Sequence, residues 1–266
     1  MQLAVWASCA IVEIASRLSC PERDSLRAAG PDGKTEEERL KMEIREIGEK
    51  LSQSEKILVG LGEEWQMKPD RGDLRGCRLD DPGQSARREA YASLVRLLAG
   101  KDYYIVTTAM DGAVWEAGLD KSRITAPCGN VHWRQCSKAC TKDIWEEGEV
   151  PDEICPHCGA PLTGNTIEAN PYIEEGYLPS WEAYKKWQAA TLNRSLLILE
   201  LGEGFRTPTV MRWPFEKTAY FNKKAFLCRV NKGICQIPKE IGEKGAGICR
   251  DSLEFVRCLT AESAGE

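Results

Sequence analysis

The amino-acid sequence predicts an α/β fold: a parallel sheet with helices on both faces, interrupted by a small inserted module. Three observations predict it. Short apolar runs alternate with helix-period stretches along most of the chain, two of these runs end in glycine pairs at 60–62 and 202–204, and two close cysteine pairs fall between 136 and 158.

The chain has 266 residues, 42% of them hydrophobic, which suffices for one large domain with an insert. Its net charge of -5 offers no basic footprint for nucleic acid. Twelve unevenly spaced cysteines suit a secreted disulfide scaffold poorly. The opening "MQLAVWASCAIVEIASRLSC" lacks a basic start and carries Glu13 inside its apolar run, so it reads as neither a signal peptide nor a membrane span. The expectation is a cytoplasmic, reducing compartment, free or metal-bound thiols, and no membrane partner.

Residues 1–34, ending in the turn-rich "RAAGPDGK", read as a poorly ordered N-terminal extension. From Thr35 to Ser52, Leu40, Ile44, Ile47 and Leu51 recur at helical spacing, and Thr35 with Glu38 forms a capping box. "KILVGLG" at 56–62 reads as a buried parallel strand entering a tight turn. A helix is predicted over 85–99, strands over 103–108 and 123–127, and a short helix over 112–118. After the cysteine segment come a helix at 180–192, the apolar strand "SLLILELG" at 195–202, a helix from Pro208 to Tyr220, a strand at 224–231 and a closing helix at 248–259. The glycines at 60–62 and 202–204 then lie beyond the carboxyl ends of strands, where sheets of this kind bind ligands.

Cys136 and Cys140, fourteen intervening residues, then Cys155 and Cys158 form a spacing that brings four thiolates to one tetrahedral zinc ion. The proline within "CPHC" and the glycine after it suit a knuckle turn that aims backbone amides at sulfur. Two disulfides or four ordinary buried cysteines are the competing readings. His132 and His157 lie close by but are surplus to four sulfurs, so surface or hydrogen-bonding roles are expected for both. Zinc is expected to be structural, holding together a polar insert at 128–162 between the halves 35–127 and 163–260.

The order of these motifs resembles the sirtuin family. "YYIVTTAMDGAVWEAG" at 103–118 resembles that family's T-Q-N-x-D-x-L-x-x-x-A-G, and "APCGNVHWRQC" at 126–136 its H-G-S segment before the first zinc cysteine. "LLILELGEGFRTPTV" at 196–210 resembles the G-T-S-L-x-V-x-P strand and turn, and "AFLCRVN" the strand ending in Ile-Asn. The likeness covers about residues 42–260. It implies a Rossmann-like domain with a zinc-ribbon insert, NAD held between them, and displacement of nicotinamide from NAD by a deacylase or an ADP-ribosyltransferase. On matching positions it implies Gly60, Gly62, Thr107, Asp111, Gly202, Gly204 and Asn231 for the cofactor, and Asp111 and Cys128 for catalysis. An acylated or ADP-ribosylated protein is the implied partner.

The departures are concentrated in the site. The first turn survives only as "GLGEEW", with Glu63 and Glu64 where phosphate must come. Thr108 and Ala109 replace the family's glutamine and asparagine, and the catalytic histidine position is Cys128. A free thiol is a weaker base than imidazole near neutral pH, and general-base catalysis is worth about 100- to 10,000-fold. The alternative is therefore a protein that keeps the fold, binds NAD, ADP-ribose or a protein partner, and has lost the chemistry. A zinc-ribbon nucleic-acid module is disfavoured, because acidic residues around the cysteines outweigh Arg134, Lys138 and Lys142.

Overall fold

The computed structural model describes residues 35–68 and 74–263, so the extension expected over 1–34 lies outside the described residues. Helix α1 (Glu36–Gln53) starts at the predicted capping box: the Thr35 hydroxyl accepts from the Glu38 amide at 3.2 Å, and the Glu38 carboxylate accepts from the Thr35 amide at 2.8 Å. Its buried face is Ile44, Ile47 and Leu51. The following elements are β1 (Lys56–Leu61), α2 (Ser85–Leu98), β2 (Tyr103–Thr107), α3 (Ala113–Glu116) and β3 (Ile124–Thr125). After the insert come α4 (Leu178–Ala189), β7 (Leu196–Leu201), α5 (Arg212–Phe221), β8 (Ala225–Val230), β9 (Gly245–Ile248) and α6 (Ser252–Ser263).

Six strands form one sheet in the order β3-β2-β1-β7-β8-β9, and every neighbouring pair is parallel. Side chains along a strand alternate between faces, so each strand feeds two cores. Ile57, Val59 and Leu61 of β1 pack with α1, α2 and α6 through Ile47, Leu94 and Phe255. Leu58 packs on the opposite side with Tyr184 of α4, with Met211 just before α5 and with Phe215 of α5. Both faces are covered, as near-continuous apolar strands require.

Two strands break the apolar rule. Glu200 in β7 and Arg229 in β8 are adjacent in register and each is 1% exposed. Arg229 donates to both Glu200 oxygens at 2.6 and 2.9 Å, to Glu216 of α5 at 2.7 Å and to the Gln236 carbonyl at 2.6 Å. Arg212 lies 3.6 Å from Glu200 and donates to the carbonyls of Glu203 and Ile234. Every buried charge here has a partner, the condition under which such groups are tolerated.

Three elements differ from the sequence expectation. The helix expected from Pro208 begins at Arg212, and the closing helix begins at Ser252. Between β8 and that helix lies the edge strand β9, written Gly-Ala-Gly-Ile, too poor in side chains to show an apolar pattern. A Cβ on Gly247 would stand 2.1 Å from the Cys235 carbonyl oxygen, so the glycine is required by close backbone approach. That approach also brings Cys235 and Cys249 together as a disulfide, with Cα atoms 5.1 Å apart, against the expectation of free or metal-bound thiols alone.

The insert is a three-stranded antiparallel sheet, β5-β4-β6, made of β4 (Gly129–Cys136), β5 (Trp145–Glu146) and β6 (Leu162–Thr166). It extends four residues past the expected boundary at 162, because β6 pairs along β4 from Cys136 back to Gly129. No described helix is long and apolar enough to cross a membrane.

Candidate functional site

The four predicted metal cysteines meet. The sulfurs of Cys136, Cys140, Cys155 and Cys158 all lie within 4.8 Å of one another. Two of the separations are 3.5 Å, Cys136 to Cys158 and Cys140 to Cys155. A tetrahedron with zinc–sulfur bonds of about 2.3 Å needs sulfurs about 3.8 Å apart, so this donor set fits zinc. The knuckle is built locally: Gly159 takes the left-handed conformation (φ 68°), its amide donates to the Cys155 carbonyl, and the Cys155 amide donates to the Ala160 carbonyl. Neither histidine joins the sulfurs. His157 pairs with Asp143 at 2.7 Å on the surface, as expected. His132 Nδ1 lies 2.7 Å from the Glu147 carboxylate, which Arg75 also engages, and so fastens the insert to the 74–76 turn.

The predicted cofactor residues also converge at the carboxyl ends of the strands. The ladder carries on into the turns: the Gly62 amide donates to the Leu201 carbonyl, the Gly202 amide to Val230, and the Asn231 amide to Ile248. The glycines are not equivalent. A Cβ on Gly60 would lie 2.4 Å from the Met211 sulfur and 2.6 Å from the Phe215 ring, so Gly60 makes room for α5. A Cβ on Gly62 would lie 2.3 Å from the Glu203 Cα, so Gly62 lets the two turns touch. Gly202 sits at φ 70° with Glu64 and Ser252 against its free side, and the Glu63 carboxylate lies against Gly204.

Several candidate side chains are engaged within the protein. Thr107 donates to the Leu61 carbonyl at 3.1 Å and accepts from the Ala109 amide. Asn231 donates to the Glu203 carbonyl at 3.1 Å and accepts from the amides of Gly233 and Ile234. Asp111 is 1% exposed and accepts from the amides of Met67 and Ala113, joining the turn after β1 to the start of α3. Burial raises its pKa, and the two backbone hydrogen bonds oppose the rise.

Cys128 is buried at the entrance to the insert, its sulfur 3.8 Å from the Thr207 hydroxyl. Burial pushes the thiol up to about 11, and the Glu203 and Glu63 carboxylates add to the rise. At neutral pH it is a neutral thiol with little capacity as a base.

Sequence reasoning undervalued two glutamates of the turns. Glu64 is half-buried and staples three loops: its carboxylate accepts from the amides of Lys232 and Ser252, each at 2.9 Å. Glu203 is fully buried. One of its oxygens accepts from the Thr108 hydroxyl at 2.6 Å, and the other, Oε1, has no partner. Burial pushes its carboxyl up to about 8, with Glu200 and Glu63 adding to the rise while the Thr108 hydrogen bond and Arg212 oppose it. The only sequence signal was a charged residue between two turn glycines, which by itself reads as exposed.

No protein-family model matches the sequence. A "Protein ADP-ribosyltransferase" of Staphylococcus aureus (strain Mu50 / ATCC 700699) is 28% identical over 192 residues, 65% of this chain and 59% of that protein. A "Probable bifunctional ADP-ribose hydrolase/ADP-ribosyltransferase" of Fusarium oxysporum f. sp. cubense is 25% identical over 177 residues, 56% of this chain. The chain thus spans 59% and 29% of the lengths of these two relatives. Among solved structures, Sir2Tm bound to a propionylated peptide superimposes with a TM-score of 0.56 at 17% identity, covering 85% of this chain and 100% of that one. A Sir2 homolog–NAD complex gives 0.53 at 12% identity, covering 84% and 95%. The six-stranded parallel sheet, the cysteine-bearing insert and these superpositions together show that the chain has the sirtuin fold.

Proposed function

We propose that the cleft between the parallel sheet and the insert binds NAD or a related ADP-ribose-bearing nucleotide, and that the protein transfers ADP-ribose to a protein acceptor with release of nicotinamide. The observation that carries this reading is the contact between the Gly62 and Gly202–Gly204 turns beside Asp111 and Cys128, at the carboxyl ends of β1 and β7. Gly62, Gly202, Gly204 and Asn231 would shape the pocket for the phosphates and ribose, with Thr107 and Asp111 holding the turns that border it. Transfer is favoured over deacylation because Cys128, at the family's histidine position, is a poor base, and because both curated relatives are named ADP-ribosyltransferases. In this reading one structural zinc is held by Cys136, Cys140, Cys155 and Cys158, whose four thiolates suit a reducing cytoplasm.

The test is calorimetry with NAD and ADP-ribose, beside nicotinamide release and transfer of labelled ADP-ribose to added protein. Binding with slow nicotinamide release and labelling is the expected result. Binding without release would favour the alternative, a sirtuin-fold protein that retains the nucleotide and has lost catalysis. Absence of binding to either nucleotide would overturn the proposal.

A further inference from the structure

The second glycine turn carries an acid where an anionic ligand must be received. Glu203 lies between Gly202 and Gly204, and its own backbone forms the wall against Gly62. That backbone is rigidly held: the Glu203 carbonyl accepts from Arg212 at 3.2 Å and from Asn231 at 3.1 Å. The side chain is fully buried, with Thr108 hydrogen-bonded to one oxygen and nothing on the other. A buried carboxylate with an orphaned oxygen is a costly arrangement, and a carboxylic acid with its proton on that oxygen is a cheaper one.

The neighbours reinforce this state. Glu63 faces it from the turn after β1 and Glu200 from β7, while Cys128, at the entrance to the insert, is itself a neutral thiol and adds no positive charge. The nearby cations are Arg212 from α5 and Arg206, which faces Cys128 from the same loop as Glu203. Arg212 is shared with the Glu200–Arg229 network, and Arg206 pairs with Glu168 at 2.7 Å. Lys232 pairs with Asp251 at 2.7 Å, and Glu64 is held by two backbone amides.

We infer that Glu203 sets the charge the pocket will accept: the turns take a phosphate-bearing nucleotide while Glu203 is a neutral acid and reject it once Glu203 is a carboxylate. This rests on the nucleotide reading above and adds a residue that controls it. The phosphates of a dinucleotide are ionised throughout the neutral range, so the proton that makes room for them comes from the protein. Binding of the anion holds that proton in place, and the two events are linked. A glutamate in this turn would repel phosphate if ionised, and burial makes it compatible by holding its proton.

The experiment is calorimetry of the full chain with NAD at pH 7, 8 and 9, in paired buffers of different ionisation enthalpy, for the wild type and Glu203→Gln. For a group that titrates near 8, the wild-type Kd should rise about tenfold from pH 7 to pH 9, with net proton uptake of about half a proton at pH 8. Glu203→Gln should bind with a flat profile and no proton uptake from this site, and should be the tighter binder at pH 9. Adenosine, which carries no phosphate, should show no pH dependence in either protein. A wild-type profile that is flat, or a variant profile parallel to the wild type, overturns the inference while leaving the nucleotide reading intact. Failure of both proteins to bind NAD or ADP-ribose at every pH overturns both. Should Glu203→Gln not fold, Glu203→Thr replaces it, and the wild-type proton uptake with the adenosine control still decides the matter.

Discussion

Asp111 and Glu203 are buried carboxyl groups at the same site with opposite surroundings. Asp111 receives two backbone amides, whereas Glu203 receives one hydroxyl and keeps an empty oxygen. Asp111→Asn points an NH₂ at an amide that needs an acceptor. It should cost about 1–3 kcal/mol of stability, read as a lowered urea midpoint at unchanged slope. For Glu203 the sign of the pH effect follows from its raised pKa. Between its ordinary range near 4.5 and about 8 the folded protein holds a proton that the unfolded chain releases. This contribution to stability is therefore complete at low pH and declines as pH rises, by up to about 1.4 kcal/mol per pH unit. Glu203→Gln should raise Tm relative to the wild type at pH 8 and show a shrinking gain towards pH 5, measured by scanning calorimetry. Asp111 was legible through its place in the 103–118 motif, and its bond from the Ala113 amide is local, but the bond from Met67, 44 residues away, appears only in the fold. Glu203 was not, because its charge state is set by Thr108, 95 residues away, and by burial that only the assembled sheet supplies.

At the scale of elements, the turns are specified by lack of space. Gly62 adopts φ -94°, open to any residue, so its requirement is room and not backbone freedom. The atoms a Cβ would strike are the Glu203 backbone N and Cα, at 2.4 and 2.3 Å. Backbone cannot swing aside as a side chain can, so Gly62→Ala should separate the two turns. A stability loss of about 1–3 kcal/mol is expected, with nucleotide binding abolished in the same calorimetric assay. α1, β1, α2, β2 and β7 were readable from periodicity, because their own side chains bury them. β9 was not, since Gly245, Ala246 and Gly247 are held by backbone pairing to β8 and carry almost no side chain to bury. Glu200 and Arg229 are charges inside apolar runs, and their pairing appears only once β7 and β8 are adjacent.

The whole molecule divides into parts held by different forces. The parallel sheet has two large apolar clusters, one on each face. The insert has a third, in which Cys136, Cys155, Ala160 and Leu162 are the buried members. So small a cluster is expected to depend on a metal ion held by the four cysteines, as their spacing suggests. One zinc per chain is expected by elemental analysis. Chelation should collapse amide protection across 129–166 while that of β1, β2, β7 and β8 persists, followed by hydrogen exchange. Glu64 couples the remaining loops. Its carboxylate grips the amides of Lys232 and Ser252, which leave two different strands at the sheet edge, and Cys235–Cys249 ties those exits again. Displacing the 63–65 turn therefore frees both amides in one event, so Lys232 and Ser252 should exchange their protons with a single shared opening energy, and the loops at these strand ends open as one unit.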